Sequence, residues 1–204
     1  MVGTGSVRRV SPALPNETDR RLVAVDDAVE DDDLVAAVAA VVAGRVVGAV
    51  GHLRRRLQRP ISATARTAIV VGIIRLGEDA LLKEVARALR HDDVVVVVGA
   101  ARILGLVGDL RAVPNLVDAL KTDDVVVGAA VIDALGQLGD PACLPWLIAA
   151  LEHRFCVVAC CRALGFVGDE GAVELLRKGL DDDDDALRFA AAQALVRLQE
   201  RGVG

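Results

Sequence analysis

"HDDVVVVVGAARILGLVGDLRAVPNLVDALK", His91–Lys121, carries five consecutive valines, Val94–Val98. Valine favours strands, so the run is either a sheet edge or a helix apolar on every side. The neighbouring sequence answers this through self-similarity. "LGLVGD" at Leu104–Asp109 returns as "LGQLGD" at Leu135–Asp140 and "LGFVGD" at Leu164–Asp169. "IIRLGE" at Ile73–Glu78 is a weaker copy, and "VGAVGH" at Val47–His52 weaker still. The second glycines, Gly51, Gly77, Gly108, Gly139 and Gly168, lie 26, 31, 31 and 29 residues apart. Pro114 and Pro145 are also 31 apart.

A period of this length suits one helix pair per repeat, for example a first helix over Asp109–Lys121 and a second over Asp92–Val107. Asp92–Asp93 and Asp123–Asp124 stand where N-caps belong. Gly108 and Gly139 stand where a helix stops in the left-handed region. Pro114 and Pro145 fall in a first helical turn, where proline is tolerated. The valine run therefore starts a helix: a few tenths of a kcal/mol of lost propensity per valine is outweighed by burial in the stack.

The Leu-Gly-x-Val/Leu-Gly-Asp turn, the Ala-Val-Pro helix after it and the Asp-x-x-Val start of the next helix resemble the HEAT-like repeats of phycobilisome lyases, from about Asp33 to Glu200. The resemblance implies an all-α fold, a right-handed α-solenoid of about six HEAT-like helix pairs with the last truncated. It also implies that the second helices line a concave groove. In that family an arginine usually follows the valine. Arg66 and Arg188 fit the slot, whereas Val97, Gly128 and Val157 replace it. Such repeats serve many roles, so the resemblance specifies fold more than function.

Composition agrees. Of 204 residues, 53% are hydrophobic and 26% charged, enough to bury a core. Aromatics are 2%, so the core is Ala, Val, Leu and Ile, which suits close helix packing. A net charge of −5 argues against general nucleic-acid binding. Met1–Arg21 lacks the apolar segment of a secretory signal. Leu34–Leu53 is long enough for a membrane span, but Arg45 at its centre costs at least ~2.5 kcal/mol, so a packed helix is expected. Four cysteines without regular spacing point to reduced thiols in a cytoplasm. Residues 1–33 read as a flexible acidic N-terminal tail and 34–204 as the solenoid. The tail's "DDAVEDDD" could lie against Arg54, Arg55, Arg56 and Arg59 by simple attraction. Those arginines and the acidic run Asp181–Asp185 otherwise read as solvated surface.

Each second helix can be numbered backward from Val47, Ile73, Leu104, Leu135, Leu164 or Leu195. Positions 8, 5, 4 and 1 then share one face, packed into the stack. Position 6 (Val41, Thr67, Val98, Ala129, Val158, Phe189) and position 3 (Gly44, Val70, Ala101, Ile132, Cys161, Ala192) are mainly apolar columns of the opposite face. Position 2 is mixed: Arg45, Val71, Arg102, Asp133, Arg162, Gln193. A large exposed apolar patch marks an interaction site. The expected partner-binding groove is therefore Arg45, Val98, Arg102, Ala129, Ile132, Val158, Cys161, Arg162 and Phe189.

His153, Cys156 and Cys160, at i, i+3 and i+7, could share a face as zinc ligands. Cys156 and Cys160 fall at repeat positions of core residues, so they are expected to be packing residues with no metal or cofactor. Two residues are missing between Leu151 and Cys156 relative to Leu120–Val127, which makes His153-Arg154-Phe155 a tight turn. Deoxyhypusine hydroxylase, a related HEAT-like enzyme, holds iron with His-Glu pairs; no such pair occurs here. Neither a phosphate loop nor a nucleophile motif is present, so no catalytic residue is assigned. The expected function is a non-catalytic protein–protein interaction scaffold that takes a helix or peptide of another protein, or a second copy, in its groove. The partner is neither nucleic acid nor membrane. The alternative implied by the resemblance is a phycobilin lyase subunit.

Overall fold

The computed structural model describes residues 16–28 and 30–203. Among them are twelve α-helices and no strand. The chain divides into two compact units, one ending at Gly72 and the other starting at Ile73. The first contains α1 (Glu17–Asp27), α2 (Asp31–Ala43), α3 (Ala49–Leu57) and most of α4 (Ala63–Arg75). The second contains α5 (Asp79–Ala88), α6 (Val94–Val107), α7 (Val113–Ala119), α8 (Val125–Leu138), α9 (Leu144–Glu152), α10 (Val157–Val167), α11 (Glu170–Gly179) and α12 (Asp185–Glu200). Short 3-10 turns at Leu110–Ala112 and Pro141–Cys143 lead into α7 and α9. The final pair, α11 and α12, is complete rather than truncated.

The valine run is helical for the reasons the repeat gave. The Asp93 carboxylate accepts from the Val95 amide at 2.8 Å, and Gly108 closes α6 at φ 77°. Asp124 and Gly139 do the same for α8. The five valines wrap around the helix: Val97 is buried, Val98 half-buried, and Val94, Val95 and Val96 exposed. Ala100, Ala101 and Leu104 complete the inner face of α6.

The first glycine of each Leu-Gly turn has a separate role. A Cβ on Gly136 would lie 2.7 Å from Ala163 Cα, and one on Gly165 would lie 3.1 Å from Ala194 Cα. On Gly105 it would lie 3.0 Å from Ala134 Cα. Each absent side chain lets the next second helix approach closely, and α6–α8, α8–α10 and α10–α12 form the largest helix contacts. The core is therefore a row of small and branched residues between successive second helices: Leu104, Val131, Ile132, Leu135, Cys160, Leu164 and Leu198 are all fully buried.

The first unit departs from expectation. Residues 17–27, assigned to a flexible tail, form α1, and α2 already begins at Asp31; residues 1–15 lie outside the described region. Asn16 and Asp19 cap α1 reciprocally, and Val25 is buried. The apolar residues form one run, Leu22–Val25, between charged segments, and a single run shows no helical period. Gly51 is no helix stop either: it lies inside α3, and the left-handed glycine is Gly48, at φ 84°. Arg45 and Gly44 consequently lie beyond the end of α2, not on its face.

Candidate functional site

In the second unit one side of the second helices is left open to solvent. Along α6 it is marked by Val95, Gly99, Arg102 and Leu106, spaced i, i+4, i+7 and i+11. On α8 it continues as Val126, Ala130, Asp133 and Gln137, on α10 as Val158, Arg162 and Phe166, and on α12 as Phe189, Gln193 and Val196. Val95 is 77% exposed and Phe189 66%. Burial sets this line: apolar residues inside it are taken by the neighbouring helices, and those on it stay partly or largely exposed.

Among the expected groove residues, Val98 and Ala129 are half-buried on the flank of this strip, Val158 is half-buried on it, and Arg102, Arg162 and Phe189 are exposed on it. Ile132 and Cys161 must be corrected: they are 0% and 1% exposed, and belong to the core. Position 3 rotates towards the adjacent second helix, so in the middle of the row that column is covered. Arg45, at φ 44° in the first unit, follows α2 and does not share the strip's helical face. Sequence columns missed Val95, Val126, Leu106 and Phe166, because a 100° wheel fixes relative angle but not which side faces the next helix.

Charge on the strip is partly self-satisfied. The Arg162 guanidinium donates to both Asp133 carboxylate oxygens, from Nη2 at 2.8 and 2.7 Å and from Nε at 3.1 Å. Arg197 lies over the Phe166 ring, 4.2 Å from its centre. Among the described residues Arg102 makes neither an ion pair nor a hydrogen bond through its side chain.

The His153-Arg154-Phe155 turn is tight, with Arg154 at φ 56° and Cys156 at φ 50°. Arg154 pairs with Asp182 at 2.8 Å. Phe155 turns inward onto Gly128, where a Cβ would come 2.4 Å from its ring. The family's arginine slot is thus inner face here: Val97 is buried and Gly128 makes room for a phenyl ring. A cavity of about 140 Å³ opens beneath the turn, lined by Leu151, Arg154, Val157, Leu175, Asp182 and Leu187. All four cysteines are free thiols. Cys160 is fully buried as expected, and burial pushes its thiol up to about 12. Cys156 is only half-buried, at the start of α10, with its thiol donating to the Val125 carbonyl at 3.3 Å. Burial raises it as well. Among the described residues no three His, Cys, Asp or Glu side chains cluster to hold a metal ion. Nor is any helix there long and apolar enough to cross a membrane.

In the first unit the arginines of α3 meet the end of α1. Arg59 donates to the Asp26 carbonyl at 2.9 Å and Arg56 to the Ala28 carbonyl at 3.1 Å. The Asp26 carboxylate lies 2.6 Å from His52 Nδ1 and 3.8 Å from Arg55. Cations at a helix C-terminus satisfy both its free carbonyls and its dipole.

The family model for HEAT repeats matches residues 81–155 and 158–203, more than half of the chain. The chain belongs to the HEAT-repeat family. This HEAT-repeat chain is also similar to the complex of CpcE and CpcF of phycocyanin lyase from Nostoc sp. PCC7120. The match has 24% identity and a TM-score of 0.58, over 74% of this chain and 65% of that one. The chain thus spans less than two thirds of that lyase chain. An engineered protein of the Northeast Structural Genomics Consortium matches at 18% identity and a TM-score of 0.52, covering 92% of this chain and 98% of its own. At these identities the likeness is one of fold. A search of curated proteins finds no match.

Proposed function

We infer that this HEAT-repeat protein is an interaction scaffold that binds a helix or peptide segment of another protein along the open strip of its second helices. The observation that carries this is the strip itself. Val95, Val126, Leu106, Phe166 and Phe189 are exposed on successive second helices whose inner faces are buried. Apolar side chains gathered on one side of a repeat array mark an interaction surface. Affinity depends on how well such residues are desolvated by the partner rather than on area alone. The lyase-subunit reading draws on the shared fold alone.

The test is capture from the native organism with the full chain as bait, beside Val126→Asp and Phe166→Asp. A partner retained by the wild type and lost from both variants, with circular dichroism unchanged, supports the reading. Equal capture by all three chains contradicts it.

A further inference from the structure

We propose that the Gly99–Arg102 segment of α6 is the contact point for an acidic amphipathic helix of a partner protein, an inference that rests on the scaffold reading above.

Gly99 is the first observation. Glycine inside a helix is less stable than alanine, so it calls for a compensating reason. Gly105, in the same helix, has one: Ala134 of the next helix occupies the space of its Cβ. Gly99 has none inside the molecule, since a Cβ there would meet nothing within 4 Å. The equivalent positions of α4, α8, α10 and α12 hold alanine: Ala68 and Ala130, half-buried like Gly99, and Ala159 and Ala190, which the neighbouring helices bury. Gly99 gives up helix stability where bare backbone faces outward beside Val95, Arg102 and Leu106; among the described residues Gly51, within α3, is similarly open. What that gains is close approach by something outside the chain.

The charge pattern says what approaches. The protein as a whole carries −5, yet the charged side chains of the strip on α6, α8 and α10 are Arg102, Asp133 and Arg162; its α12 line ends in Asp185, paired with Arg188, and Glu200, with Arg197 beside it. Asp133 is engaged by Arg162, and Arg197 rests on Phe166. Arg102 is left to an external acceptor, one turn from Gly99 and flanked by exposed Leu106. A partner helix with a small residue over Gly99 and a carboxylate within reach of Arg102 meets all these features. Its larger apolar residues would cover Val95 and Leu106, in the helix-in-groove manner. The ion pair would set orientation and register more than affinity.

The test uses random 16-residue peptides displayed against the full chain, with the selected peptides synthesised and titrated by fluorescence anisotropy. The expected selection is apolar at helical spacing with at least one Asp or Glu. Gly99→Leu should leave the melting temperature within a few degrees, because the space is open, and weaken binding at least tenfold. Arg102→Glu should weaken binding at least tenfold, and replacing the peptide's acidic residue by Arg should restore it. If nothing is selected, the scaffold reading and this proposal fall together. If selected peptides bind Gly99→Leu and Arg102→Glu as tightly as the wild type, this site is wrong while the scaffold reading stands. Selected peptides without an acidic residue overturn it equally.

Discussion

Two glycines in the same row of helices make opposite predictions. Gly99→Ala adds a methyl to open space and should stabilise the protein by about 0.5–1 kcal/mol, the alanine–glycine difference in a helix interior. Gly136→Val puts its Cβ 2.7 Å from the Ala163 backbone and should destabilise by about 1–3 kcal/mol, as overpacking does. Urea titration followed by circular dichroism checks both; destabilisation by Gly99→Ala would mean that the open space is not open in solution. The repeated Leu-Gly was legible in the sequence, but its use was only half legible. The second glycine announces itself as a stop through its place before Asp. The first looks like one more helix residue until the neighbouring helix is seen, because periodicity carries no information on interhelical distance. Gly128 is similar: nothing in the sequence says that Phe155, displaced by a shortened loop, needs its missing side chain.

Among elements, α1 is the one held chiefly by polar contacts. It contributes one fully buried side chain, Val25, and is otherwise held through its C-terminal end by His52, Arg55, Arg56 and Arg59. Asp26→Ala should therefore raise amide exchange across residues 17–27 while α8 and α10 keep their protection; exchange unchanged in α1 would refute electrostatic anchoring. Acidic residues near the N-terminus do meet these arginines, as their charges imply, but from a helix rather than a tail, because capping by Asn16 and Asp19 supplies order that no apolar period displays. The Arg154–Asp182 pair is the corresponding device at the shortened loop. Hydrogen bonding from Arg154 holds the Asp182 carboxyl below its ordinary 3.8. A lowered carboxylate contributes stability that is complete above that ordinary value and is lost as pH falls below it, towards the folded-state value. In Arg154→Ala the Asp182 midpoint, read by NMR titration, should rise towards 3.8; an unmoved midpoint would show that the loop backbone, not Arg154, sets it.

For the whole molecule, far-ultraviolet circular dichroism should show helix in well over half of the residues, with no sheet component. The regular spacing of 31 residues made the middle of the second unit readable: the Asp caps and glycine stops of α6 and α8 and the first-turn prolines of α7 and α9 recur in register. The first unit escaped because its spacing shrinks to 26 and its weak "VGAVGH" copy straddles the start of α3, which displaced Arg45 from the expected column. The interaction surface was legible in kind but rotated in detail. Apolar columns identified helices with more hydrophobic surface than one contact can cover, yet only the packing shows Ile132 turned inward and Val126 outward. The helices divide into an inner face that holds the stack and an open outer strip. Thermal unfolding of Ile132→Asp beside Val126→Asp tests this division within a single helix. An unpaired charge at Ile132, 0% exposed, should cost more than about 3 kcal/mol. Val126→Asp, exposed in the first turn of α8 where negative charge is favoured, should stay within about 0.5 kcal/mol of the wild type. Equal losses, or a stable Ile132→Asp beside an unfolded Val126→Asp, would contradict the account.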